Sequence, residues 1–237
     1  MVDHDALFTA MTAYADAMLG PYRVGEVLYR LSDQAVRVLG VEGAGVLVVG
    51  EDGSLGFAAA TDERVAHMEA TQEAGDQGPC HDAFHQGAPV VVPDLGDEQR
   101  WPVFRRVALQ EGCQAVAGLP MPARADRVGA LNLYHLRPHA WTDEELQVGQ
   151  LLANLASGYI LHHVEMSDSR DVVGQLRQAL DSRVVIEQAK GIVAARRGVA
   201  PSAAFDLLRT RARSTQTVLH TLCQQVVDGV DPGPPAT

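Results

Sequence analysis

Lysine is all but missing from this chain of 237 residues: one, Lys190, stands against eighteen arginines. Cysteine is scarce as well. Cys80, Cys113 and Cys223 are odd in number and widely spaced, which excludes a disulfide framework and a CxxC metal pattern and suits a reducing compartment. No apolar run reaches the length of about 18 residues that a membrane span needs. The opening "MVDHDALFTAMTAYADAM" has early acids and no basic n-region, so no signal peptide is expected and the expected location is the cytoplasm. There is no HExxH arrangement, so a zinc hydrolase has no support. No Ser/His/Asp or paired-carboxylate constellation can be assembled, and no internal repeat is found. No catalytic residue and no metal ligand is therefore assigned, and an enzyme is not expected.

Positive charge is also in short supply. The formal net charge is −11, which taken alone argues against a nucleic acid partner. The average hides a split. Residues 183–213 carry seven basic side chains and two acidic ones; the remainder carries 12 basic and 28 acidic. An acidic body with a small basic module is implied. Apolar residues make up 46% and charged residues 21%, so a sizeable core is within reach.

The pattern along the chain predicts an N-terminal helix over 5–19, within a segment 1–22, and then a second helix. In "VGEVLYRLSDQAVRVLG" Val24, Val27, Leu28, Leu31, Ala35, Val38 and Leu39 share one face, and Gly40 ends it. "AGVLVVGEDGSLGFAAAT" reads as a hairpin, because Asp52-Gly53 lies between two β runs. A short helix follows near 62–72. Residues 75–101 read as loop, short helix, short strand and loop, and "PVFRRVALQEG" as helix. "CQAVAGLPMPA" and "RVGALNLYHLR" read as strands joined by a turn at 124–126. The sum is an α+β domain with a mostly antiparallel sheet.

From Thr142, an N-cap followed by acids, the period changes. Leu152, Leu155, Tyr159, His162 and Met166 follow 3-4 spacing, and Val173, Leu176 and Leu180 resume it. That is a coiled-coil seam. Two readings compete: a helix packed on its own sheet, or a long connecting helix over 165–182 that pairs in a parallel homodimer. The second is favoured, because Val173–Leu180 needs a partner beyond the sheet domain. The C-terminal module is helical throughout. Its first helix stops at Gly198, Pro201 opens the second, and Ser214 or Thr215 caps the third. The tail 228–237 is Pro/Gly-rich and is expected to be disordered.

Two segments carry a resemblance. "ALDSRVVIEQAKGIVAARRGVAPSAAFDLLRTRAR" resembles the ANTAR domain, an all-α three-helix RNA-binding module of bacterial antitermination regulators; the match spans about 172–227, with its core at 183–227. Its most specific parts are Arg183, Ile186 to Gly191, Arg197-Gly198 and Ala204-Phe205 with Leu207-Leu208-Arg209. Upstream, "GAGVLVV", "GPCHDAFHQGAPVVVPDL", "RWPVF" and "GALNLYHLRPHAWTDEEL" resemble a GAF sensor domain over 23–164. The resemblance implies a dimer that binds paired hairpins in nascent leader RNA, prevents a terminator and lets transcription continue.

Physical reading of the basic module agrees in part. In a regular helix Arg183, Lys190 and Arg197, seven apart, lie along one line, flanked on the core side by Ile186, Ala189 and Val193. Gly191 leaves the approach beside Lys190 open, and hairpin loops present unstacked bases. The candidate RNA-binding residues are Arg183, Gln188, Lys190, Gly191, Arg196, Arg197, Arg209, Arg211 and Arg213. A plainer reading is available for several: Arg196 and Arg197 also suit the negative end of a helix dipole, and Arg209, Arg211 and Arg213 also suit a solvated face. The chain departs from the family at Thr217 and Val218, where basic residues are usual, at Ala200, where a capping serine is usual, and at Cys223 in place of alanine. Lys190 and the two arginines on its line are left to carry more of the RNA contact.

The GAF resemblance implies a small-molecule pocket over the sheet, for which Cys80, Asp94, Trp101, Phe104 and Tyr134 are candidates by position. The cofactor is not assigned; cyclic-nucleotide, haem and redox sensing all stay open. His81 and His85 are one helical turn apart, a spacing usually incidental on a surface helix. His162-His163 are followed by no ATP-binding glycine boxes, so autophosphorylation lacks machinery. The alternative to an RNA-binding regulator is a ligand, redox or haem sensor whose C-terminal helices are only an interaction module.

Overall fold

The computed structural model describes residues 2–17, 24–50, 52–123, 127–166, 172–215 and 217–229, with all their side chains except those of residues 17, 163–166, 172–175, 177–179, 182 and 213. The Gly20-Pro21 stop, the turn at 124–126 and the tail beyond 229 lie outside the described residues, as do the side chains of Met166, Val173 and Arg213.

Helix α1 (His4–Ala17) and α2 (Val24–Leu39) precede the hairpin β1 (Gly43–Val49) and β2 (Leu55–Ala60). Then come α3 (Glu63–Gly75), α4 (Pro79–Gln86), β3 (Val90–Val92) and α5 (Pro102–Gln110), followed by a second hairpin, β4 (Ala115–Pro122) and β5 (Arg127–His135). The sheet order is β2-β1-β5-β4-β3, and every pairing is antiparallel. Period-two alternation sends the two faces to different cores. Val46, Val48, Leu131 and Leu133 pack with α2 and with α6 (Asp143–Met166), whereas Val116 and Tyr134 pack with α3 and α5.

Asn132 of β5 stands opposite Gly45 of β1 and Gly118 of β4. Two glycines on either side of one polar residue leave a trough across the middle of the sheet. Side-chain and backbone groups from α3 and α4 fill it.

The α6 start follows its sequence signal. Thr142 Oγ1 accepts from Glu145 N at 3.3 Å, and Thr142 N donates to Glu145 Oε2 at 2.9 Å, a reciprocal capping box. Thr142→Ala is expected to cost about 1 kcal/mol; a urea midpoint indistinguishable from that of the unaltered protein would refute the cap.

The seam residues find partners inside the chain. Leu152 and Tyr159 are buried in the sensor core, with Leu155 against it. Helix α7 (Val172–Arg197) returns to the same domain: Leu176 is fully buried in that core, and Leu180 lies where a β-carbon on Gly56 would come within 2.9 Å of it. The burial that Leu176 and Leu180 require is thus supplied by their own sheet domain.

Helices α8 (Pro201–Ser214) and α9 (Leu219–Val227) complete the C-terminal module. Ile186, Ala189 and Val193 of α7 meet Phe205 and Leu208 of α8 and Leu222 and Val226 of α9, with Tyr29 of α2 packed against them. Pro201 opens α8 as expected. The cap of α9 differs from expectation: it is Val218, with no side-chain bond. The hydroxyls of Ser214 and Thr215 turn back instead to Arg211 O, at 3.0 and 2.8 Å, where both serve one carbonyl at the end of α8.

Candidate functional site

The basic line forms, but only its Arg197 end is exposed. One unbroken helix carries Arg183, Lys190 and Arg197, and two of the three turn onto the sensor domain. Lys190 is only 8% exposed; its Nζ donates to both carboxylate oxygens of Glu63, at 2.9 and 3.1 Å, and pairs with Glu187. Burial opposes its charge, but the carboxylates of Glu187 and Glu63 outweigh it and hold the ammonium pKa above the ordinary lysine value. Arg183 pairs with Glu73 at 2.9 Å, donates to Phe57 O at 3.2 Å and lies over the Phe57 ring at 4.2 Å. Arg209, buried, pairs with Asp33 of α2. Gln188, Gly191, Arg196 and Arg197 are exposed, and Arg211 is half-buried. A β-carbon at Gly191 would touch nothing within 4 Å, so packing within the chain does not call for glycine there.

The sensor half holds a second polar cluster, at the trough. Glu69 of α3 is fully buried. Its carboxyl accepts from Asn132 Nδ2 at 3.0 and 2.9 Å, Tyr134 Oη at 2.8 Å and Gln72 Nε2 at 3.1 Å. Burial pushes its pKa up to about 8, against the lowering effect of those donors. Gln72 also accepts from Cys80 N at 3.0 Å. The cluster therefore joins α3, α4 and β5.

Of the five pocket candidates, Cys80 and Tyr134 meet at this cluster. Trp101 and Phe104, with ring centroids 6.3 Å apart, share an apolar cluster with Tyr134. Asp94 stays outside: its Oδ1 accepts from Gly96 N at 2.7 Å and shapes its own loop. Burial raises the Cys80 thiol well above its ordinary pKa and Cys113 and Cys223 to about 12, so none is held as a thiolate. His81 is buried with Asp76 at 3.1 Å, and His85 is exposed. Among the described residues no group of three or more His, Cys, Asp or Glu is placed to hold a metal.

Sequence reasoning missed Glu69, Gln72 and Asn132. Asn132 had a signal, a lone amide amid "ALNLYHL". Glu69 and Gln72 had none, since an acid and an amide on a short polar helix ordinarily face water. The acids Asp33, Glu63 and Glu73 were equally silent.

A five-stranded antiparallel sheet sandwiched by helices is thus joined to a basic helical module. A GAF domain profile matches residues 23–160, and an ANTAR domain profile matches residues 174–227. The chain belongs to the GAF domain family, with an ANTAR domain following. GAF is a signal-sensing domain and ANTAR an RNA-binding antitermination domain. Among solved structures the chain is similar to the GAF domain of an Acinetobacter phosphoenolpyruvate-protein phosphotransferase: 13% identity, 71% of this chain and 99% of that one, TM-score 0.52. It is also similar to the GAF domain of a phosphoenolpyruvate-protein phosphotransferase from Coxiella burnetii: 12% identity, 67% and 94%, TM-score 0.52. These likenesses show the fold. No curated protein matches the chain. No described helix is long and apolar enough to cross a membrane.

Proposed function

We propose that the protein is a signal-responsive regulator, cytoplasmic and dimeric, whose paired ANTAR modules bind tandem hairpins in leader RNA and prevent termination. The observation that carries this reading is the line of Arg183, Lys190 and Arg197 on one helix beside the open Gly191. Arginine grips phosphate or a guanine edge bidentately, lysine acts as a point charge, and glycine lets a loop base approach the backbone. The sensor half takes its signal near the Glu69 cluster, and the connection through α6 and α7 carries it onward.

A second reading has its own support. Lys190 and Arg209 are buried against the sensor's acids, as they would be if the C-terminal helices served only as an interaction module.

The test is titration of a labelled two-hairpin RNA at low and at physiological salt, with Lys190→Ala as control. Binding is expected to weaken with salt, and Lys190→Ala to weaken it further and reduce the log–log salt slope by about 0.7. Binding that neither salt nor Lys190→Ala changes would sink the RNA reading. So would a failure to find paired hairpins among RNAs crosslinked to the protein in its own cell.

A further inference from the structure

Three ion pairs at the domain seam share one polarity. In these pairs the basic partners Arg183, Lys190 and Arg209 come from the ANTAR module and the acidic partners Glu73, Glu63 and Asp33 from the sensor. We infer that they form a clasp: sensor carboxylates occupy the side chains that RNA phosphates would take, so the closed chain binds RNA weakly until the two domains part. The inference rests on the RNA-binding reading and adds its regulation.

Chemistry supports the substitution, because a carboxylate accepts from lysine and arginine as a phosphate oxygen does. Glu63 and Glu73 sit at opposite ends of α3, ten residues and so about 15 Å apart along its axis. Arg183 and Lys190 are two turns apart on α7, about 10 Å. Two anions on one rigid rod thus meet two cations on another. Lys190 and Arg209 have little water to fall back on. In the closed seam the partner carboxylates compensate the lost hydration; when the domains part, Lys190 keeps Glu187 of its own helix, and RNA phosphates would take the places of Glu63 and Asp33. Apolar contacts hold the same seam, through Tyr29 against the ANTAR core and Leu180 at Gly56. The packing is incomplete: a cavity of about 330 Å³ opens between α2 and α8–α9, lined by Tyr29, Asp33 and Arg209 among others.

Helix α3 also links clasp to sensor. It turns Glu69 and Gln72 inward to the buried cluster and Glu63 and Glu73 outward to α7. A change at the cluster that shifts α3 moves both outward carboxylates. RNA and the closed seam exclude one another, so a signal acts by the difference in its affinity for the closed and open forms.

The test compares the full chain with its Asp33→Asn/Glu63→Gln/Glu73→Gln variant, and with Glu73→Gln alone should the triple variant fail to fold. Two readouts are taken: affinity for a labelled synthetic RNA of two short stem-loops, and amide hydrogen exchange of residues 183–193 without RNA. The triple variant is expected to bind at least about tenfold more tightly, within the 5–150-fold span usual for coupled sites, and to exchange faster along α7; Glu73→Gln alone should move both readouts the same way by less. Equal affinity in variant and unaltered protein overturns the clasp, as does unchanged exchange. Faster exchange with no RNA bound by either protein leaves the clasp standing and refutes the RNA-binding reading instead.

Discussion

Exchange of Glu69 for glutamine is expected to remove the loss of stability that this buried carboxyl contributes as pH rises from about 5 to about 8. The carboxyl is fully buried and its pKa is raised from 4.5 to about 8, chiefly by loss of water. Below pH 4.5 it is protonated in the folded and unfolded chains alike. Between that value and about 8 only the folded chain keeps the proton, so this stabilisation is lost as pH climbs through the window. At about 1.4 kcal/mol for each pH unit between the two values, the loss reaches several kcal/mol. Glutamine stays neutral throughout and preserves an acceptor for Asn132 and Tyr134. Glu98, held at about 2 by its hydrogen bonds with Arg100, acts with the opposite sign and at lower pH, outside this window. Urea midpoints across the range decide the matter: parallel pH profiles for the two proteins would mean that Glu69 does not hold its proton.

Gly118→Ala should be a strongly damaging single-methyl change in the sheet. A β-carbon there would sit 2.6 Å from Pro79 O and 2.9 Å from Pro79 C. Both are backbone atoms at the first turn of α4, and no rotamer change moves them. Either α4 lifts from β4, which draws Cys80 N away from Gln72, or the β4–β5 register gives way. Overpacking of a close backbone contact is expected to cost about 3 kcal/mol. Denaturation should show an earlier transition of the sensor, and a loss under about 1 kcal/mol would show that α4 yields easily.

Much of the architecture is legible from local chemistry. The apolar stripe of α2, the Asp52-Gly53 turn, the capping pair Thr142 and Glu145, Pro201 at the head of α8 and Gly198 at the end of α7 are each specified by residues within a few positions of one another. Such signals survive without knowledge of the fold. The coiled-coil spacing was legible too, yet it says only that a stripe must be buried. Leu152, Tyr159 and Leu176 meet that demand in the chain's own core, and no spacing distinguishes this partner from a second copy.

The candidate sites divide along the same line. The sequence by itself determined the domain order, the three ANTAR helices and the alignment of Arg183, Lys190 and Arg197, because helical period follows from chain geometry alone. Only the tertiary structure decided what faces that line. Glu63 and Glu73 lie more than 100 residues from their partners and look like ordinary surface acids on a polar helix. Glu69, on the same helix, becomes a buried acid because Gly45 and Gly118 open the sheet beside Asn132. Long-range charge pairing and burial depend on which surfaces meet. In a chain with a single lysine, that meeting decides whether its ammonium faces RNA or the sensor's own carboxylates.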